Sequence, residues 1–231
     1  MLPDLKTQLE KVAQYKPKKV RGRRYMVRAA VTMILRETQR HPDDLHDDGI
    51  EVLMMRRAER KGDPWSGHMS FPGGKMDSKD DNSFEASLRE LAEETGIPRP
   101  DDALRSVGRL SDVLTRNHSG RKPMVVTPFV FELMEEVEFS PNHEVAELVW
   151  IPLGFLGNPA HREVMHWDFR GTRINLPCYY YQGRRIWGLS LTMLDEMVLL
   201  FYRQRFKDTH SRLQFSPRSN WLLRSLAKLN R

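Results

Sequence analysis

The sequence predicts an α/β/α sandwich, in which a β-sheet carries helices on both faces. Three observations lead there. Segments with the two-residue periodicity of half-buried strands recur between about residue 26 and residue 151. Segments with helical periodicity stand before, between and after them. Finally, 39% hydrophobic and 29% charged residues over 231 positions give a globular chain with enough apolar material for one large core.

In chain order, Leu2, Leu5, Leu9 and Val12 recur at helical spacing, so the chain opens on an amphipathic helix that docks on the domain or on a partner. Residues 17–24 read as a basic linker. Val27, Ala29, Val31, Met33 and Leu35 alternate through a strand over 26–36. QRHPDDLHDDG then breaks the pattern, and its Asp43, Asp44, His46, Asp47 and Asp48 suit a solvated acidic turn better than a cation site. A second strand, 50–57, ends in Arg56 and Arg57. Further strands are expected near 105–113, 124–133 and 146–151. RINLPCYYYQGRRIWG fits a hairpin turning at Gly183, followed by a helix over about 189–206 and a last helix from near Ser219. The chain thus divides into a basic N-terminal extension (1–25), a central domain (26–207) and a basic C-terminal helical extension (208–231).

Composition excludes several classes. The single cysteine, Cys178, rules out a disulfide framework or a cysteine metal cluster and reads as a packed strand residue. No apolar run approaches the length of a membrane span, and no signal peptide opens the chain, so a cytoplasmic protein without membrane contact is expected. The net charge of +6, concentrated toward both termini, favours anionic partners, either phosphorylated metabolites or nucleic acid. A solvated surface is the plainer account of the basic tails, so nucleic acid is not the favoured partner.

The chemistry concentrates in residues 71–97, FPGGKMDSKDDNSFEASLRELAEETGI. Asn82 caps a helix that Gly96 stops, and Glu85 is placed to close a capping box. At about 100° per residue, Glu90, Glu93 and Glu94 share one sector, opposite Phe84, Leu88, Leu91 and Thr95. Like charges one turn apart cost about 0.2–0.5 kcal/mol, and acids in the last turn oppose the macrodipole by about 0.3–1 kcal/mol. Arg89 offsets part of this. Carboxylates gathered where they repel suit a counter-ion, and hard oxygens without His or Cys favour Mg²⁺ or Mn²⁺.

Gly73-Gly74-Lys75 followed by Arg89-Glu90-Leu91-Ala92-Glu93-Glu94-Thr95-Gly96-Ile97 resembles the Nudix box, the signature of hydrolases acting on nucleoside diphosphates linked to another group. The box here is one residue longer between Gly74 and Arg89, and Asp80 stands where the family has a glutamate, leaving Asp77, Asp80 and Asp81 open for that role. The resemblance implies a Nudix-type α/β/α sandwich on a mixed β-sheet. It implies metal ligation of Mg²⁺ or Mn²⁺ by Glu90, Glu93, Glu94 and the Gly73 carbonyl. Arg89 would orient a glutamate, and Ala86 would leave room for ions and phosphates. The general base is open between Glu90 and a later acid, Glu144 or Glu147. Arginine suits a phosphate clamp, strand alternation lets only one of Arg56 and Arg57 face the site, and the branch resemblance given next implies Arg57. Gly74, Lys75 and His68 are the other candidate substrate contacts, and Trp65 either stacks on a base or anchors its loop.

LMMRRA before the box, with Tyr181, Gly183 and Ile186-Trp187-Gly188-Leu189 after it, is similar to the coenzyme A pyrophosphatase branch. That similarity implies coenzyme A or an acyl-CoA as the nucleotide-diphosphate substrate. The approach to FPGG departs from the branch over Asp63–Met69, which keeps ADP-ribose, dinucleotides, nucleoside triphosphates and capped RNA as alternatives. An inactive scaffold serving as a sensor or nucleic-acid binder is the rival of another class, and the complete glutamate set argues against it. Members of the family often form homodimers, an arrangement open to this chain. P-loop, G-x-S-x-G and H-E-x-x-H readings all fail on spacing.

Overall fold

Alternation along the first strand sets up the two faces of the sheet. The computed structural model describes residues 4–39, 48–63, 65–97, 103–116, 122–169 and 172–208. Strand β1 (Val27–Glu37) sends Met33 and Leu35 to one core layer and Ile34 to the other. Strand β2 (Ile50–Arg57) does likewise, with Val52 and Met54 opposite Leu53. Helix α2 (Ser83–Thr95) covers the second layer with Leu88 and Leu91. Helices α1 (Leu5–Gln14) and α4 (Gly188–Asp208) cover the first, through Leu5, Leu9, Leu194 and Met197. The α/β/α sandwich follows from that division.

The sheet contains β3 (Met69–Ser70), β2, β1, β7 (Pro123–Leu133) and β5 (Leu104–Arg109) in spatial order. β4 (Gly73–Lys75) joins β1, β6 (Val113–Arg116) joins β7, and β8 (Val145–Pro152) joins β2. β1 and β7 run parallel while the other pairs are antiparallel, so the sheet is mixed. A short helix, α3 (Leu153–Leu156), leads to a separate three-stranded sheet of β9 (Arg162–Phe169), β10 (Thr172–Tyr181) and β11 (Arg184–Trp187).

Three sequence expectations need correction or completion. The strand expected at 105–113 is two, β5 and β6, because the chain bulges between Ser106 and Gly108 and turns at Asp112. The Asp112 carboxylate, fully buried, accepts from the Val20 N–H, Arg23, Arg109 and Thr127. That same carboxylate straps the basic linker onto the domain. The hairpin at Gly183 exists, but β9 adds a third strand, which its charged and polar composition concealed. Asp48 is not solvated: it is 1% exposed and receives the Tyr202 hydroxyl. Asp43, Asp44, His46 and Asp47, and the helix expected from Ser219, lie outside the described residues.

The opening helix docks on the domain itself. Leu5, Leu9 and Val12 are buried, and just beyond the helix the Tyr15 hydroxyl donates to Glu196 of α4 at 2.5 Å. Cys178 is buried in β10, as a packed strand residue should be. Among the described residues, no helix is long and apolar enough to cross a membrane.

Candidate active site

The site is built where the glycine turn of β4 meets the face of α2. Asn82 caps the helix by accepting from the Phe84 and Glu85 N–H groups at 2.8 and 3.2 Å, and Gly96 ends it at φ 73°. Gly73 has φ 145°, and a Cβ there would stand 2.2 Å from the Ala30 carbonyl oxygen. Only glycine fits. A Cβ on Gly74 would fall 2.4 Å from the Glu90 carboxyl carbon, so the turn and that glutamate are in close contact. The Gly73 N–H donates to Glu94 Oε2 at 2.7 Å. Two glycines thus bring backbone up to two carboxylates.

Arg89 organises the other side. Its Nε and Nη2 donate to the two Asp80 oxygens at 2.9 and 3.0 Å, and further contacts reach Glu90 (3.0 Å), Glu93 (3.2 Å) and the Lys75 carbonyl (3.2 Å). Asp80 is 8% exposed and also accepts the Asp77 N–H at 2.7 Å. Of the three aspartates left open by the sequence, Asp80 is the one that engages the helix. It acts as the anchor of Arg89. Asp77 instead closes its own turn onto Ser78 and Lys79.

The two inner glutamates carry the electrostatic cost. Glu94, 3% exposed, is pushed up to about 8 by burial; the Gly73 N–H pulls against this and the Glu90 charge adds to it. Glu90 is also raised by burial, with Arg89 opposing the rise. Glu144 contributes repulsion at both, which places it within electrostatic reach of the pair. Its carboxylate also meets Arg60 at 3.2 Å. Glu147 is elsewhere, bracketed by Arg56 and Arg184 at 2.6 Å each.

The donor set of Glu90 and Glu94 is hard oxygen on two crowded, buried acids, and it fits a divalent cation. Glu93 stands outside it, with a side chain 55% exposed and turned to Arg89. Accordingly, among the described residues no three acidic, His or Cys side chains converge as a complete metal cage.

Arg57 is the one of the two strand arginines that faces the glutamates: its charge acts on Glu94, and Asp63 holds its Nη2 at 3.0 Å. Arg56 points away to Glu147 across the β2–β8 ladder, where the register shifts. Beside the glycine turn lies a cavity of about 430 Å³ whose lining joins Arg57, Gly74 and Lys75 to Trp65, His68 and Trp187. His68 sits edge-on to both tryptophans, with ring centroids 5.7 Å from Trp65 and 5.2 Å from Trp187. Burial, aided by the Arg185 charge, lowers the His68 pKa below its ordinary 6.5, so the ring is neutral at pH 7. The sequence pointed to these residues except Arg60, Asp63, Arg185 and Trp187. Trp187 entered with a resemblance and not as a site residue, because nothing in its local pattern says that β11 returns to β3.

A family model described as the NUDIX domain matches residues 26–168. The chain belongs to the Nudix family. It is a hydrolase acting on pyrophosphate bonds. It is 31% identical over 148 residues to an uncharacterized Nudix hydrolase, NudL, of Photorhabdus laumondii, covering 64% of this chain and 75% of the relative. Its identity to NudL of Yersinia enterocolitica is 32% over 153 residues, covering 64% of this chain and 72% of that one. Among solved structures, a MutT/nudix family protein from Enterococcus faecalis superposes with a TM-score of 0.45 at 16% identity, over 90% of this chain and 72% of that one.

Proposed function

We propose that this Nudix hydrolase cleaves the pyrophosphate of coenzyme A or an acyl-CoA, releasing adenosine 3′,5′-bisphosphate and a phosphopantetheine, with Mg²⁺ or Mn²⁺ as cofactor. The observation that carries the reading is the contact between the Gly73–Gly74 turn and the buried Glu90–Glu94 pair, set beside an aromatic cavity. Glu90, Glu94 and the Gly73 carbonyl would hold the cation. When bound, the cation offsets phosphate charge and lowers the pKa of a bound water.

The remaining roles belong to the chain. Arg57, fixed by Asp63, clamps a phosphate oxygen, and Lys75 on the cavity wall adds charge for the other phosphate. Glu144 takes the proton of the attacking water. Glu147 is unsuited to that task, because two arginines hold its carboxylate and depress its basicity. Arg89, anchored on Asp80, positions Glu90. Trp65, His68 and Trp187 give the nucleoside a dry, aromatic wall.

The test is turnover across coenzyme A, acetyl-CoA, ADP-ribose, dinucleotides, nucleoside triphosphates and capped RNA, with Mg²⁺ or Mn²⁺ and with EDTA. The expected result is metal-dependent release of adenosine 3′,5′-bisphosphate, with coenzyme A or its thioester the best substrate. Preference for any other member of the panel, or turnover unchanged in EDTA, overturns the reading.

A further inference from the structure

Next to the aromatic cavity lies a second groove of about 490 Å³, walled by Arg56, Arg184, Arg185, Glu147 and Tyr180. Met69 lines both, so the two adjoin. Three guanidinium groups and one carboxylate line it, and two of the three guanidiniums share that carboxylate. Glu147 stands between Arg56 and Arg184 at 2.6 Å from each, which fixes both side chains. Arg184 is braced further by the Gln182 backbone and side-chain oxygens, each at 3.2 Å. Its Nε is buried without an acceptor among the described residues.

Arg185 is the third member. Among the described residues it has no carboxylate partner, and its guanidinium lies 5.7 Å from the centre of the Trp187 ring. Trp187 is also the ring that His68 meets in the cavity. The β10–β11 hairpin therefore sets a positive charge beside the largely buried ring that lines the cavity wall. A solvated charge run would be neither clamped by a shared acid nor backed by a cavity wall.

We propose that this groove is a subsite for a phosphomonoester on the nucleoside of the substrate, with Arg185 its main ligand and the Arg56–Glu147–Arg184 triad its fixed positive wall. Guanidinium suits a phosphate dianion by bidentate, charge-assisted hydrogen bonding. The inference rests on the substrate reading above, in which that group is the 3′-phosphate of coenzyme A, but it can stand without that name. A nucleoside lodged against Trp187 would place a ribose phosphate toward the groove while the pyrophosphate occupies the glycine turn.

The test is calorimetric binding of adenosine 3′,5′-bisphosphate and of 5′-AMP to the full chain, wild type and R185Q, with Mg²⁺ present. Wild type is expected to prefer the bisphosphate by about tenfold. R185Q is expected to reduce that preference to within about twofold, and R185K to restore part of it. Equal affinities in wild type, no binding of either nucleotide at millimolar concentration, or a preference that survives in R185Q overturns the subsite. So does an equal loss for both nucleotides, which marks a diffuse surface charge. If the preference behaves as expected while coenzyme A is not hydrolysed, the subsite stands and the substrate reading fails.

Discussion

Asp80→Asn isolates the anchor on which the position of Arg89 depends. The substitution keeps size and shape but removes the charge and sets an NH₂ group against an arginine donor. Asp80 accepts from the Asp77 N–H and twice from Arg89. Losing one charge-assisted bond costs about 1.5–3 kcal/mol, and breaking a fully buried pair costs about 3–5 kcal/mol. The Asp80 side chain is 3% exposed but that of Arg89 is 25% exposed, and Arg89 keeps Glu90 and Glu93 as partners. Screening and these spare partners put the expected loss near the lower figure, about 2 kcal/mol. For a domain of this size that is a fall in Tm of about 4–8 °C. Because Arg89 meets Glu90 directly, kcat should fall about tenfold with KM little changed. Urea and thermal unfolding with steady-state kinetics measure both, and D80E should recover part of each. An Asn variant with wild-type Tm and kcat would show that Arg89 holds its place without Asp80.

The two box glycines should fail differently. G73A should destabilise by more than about 2 kcal/mol, since its positive φ and the Ala30 carbonyl both oppose a Cβ, whereas G74A should fold and lose activity by displacing Glu90; unfolding curves and kcat separate them. D195A should cost about 3 kcal/mol by removing the carboxylate that pairs with the half-buried Arg162, whose bonds to Asp195 are 2.6 and 2.9 Å with side chains 12% and 17% exposed. That pair ties β9 to α4, and thermal unfolding measures the loss. His68 is held neutral, with a native pKa below 6.5 through burial, Arg185 and Arg57 against the opposing charge of Asp63. Its contribution to stability is complete above pH 6.5 and is lost as pH falls toward the native value. Wild type should therefore lose more Tm than H68F between about pH 7 and pH 5, and equal slopes would refute this.

Legibility in the sequence followed the range of the interactions involved. Helix α2, its caps and its acidic face were readable because Asn82, Gly96 and the glutamates act within a few residues of one another. Strands β1, β2, β7 and β8 were readable from alternation against a core. The two-residue period allowed only one of Arg56 and Arg57 to face the site, and the choice of Arg57 came from the family resemblance rather than from the period. What stayed hidden depends on contacts across the chain. Glu144 and Glu147 looked equivalent until the β2–β8 register set Glu147 against Arg56 and the hairpin brought Arg184 to it. Asp48 looked like one more turn acid, although Tyr202 reaches it from α4. The outward turn of Glu93 was equally unreadable, because helical spacing puts it beside Glu90 while the folded chain turns it to Arg89.

Calorimetric titration of Mn²⁺ into the metal-stripped wild type, E90Q, E94Q and E93Q proteins tests most directly whether the buried acids at the glycine turn are the cation's seat. Wild type should bind, E90Q and E94Q should each weaken binding by more than about tenfold, and E93Q should weaken it least. Undiminished Mn²⁺ affinity in both E90Q and E94Q would contradict the account.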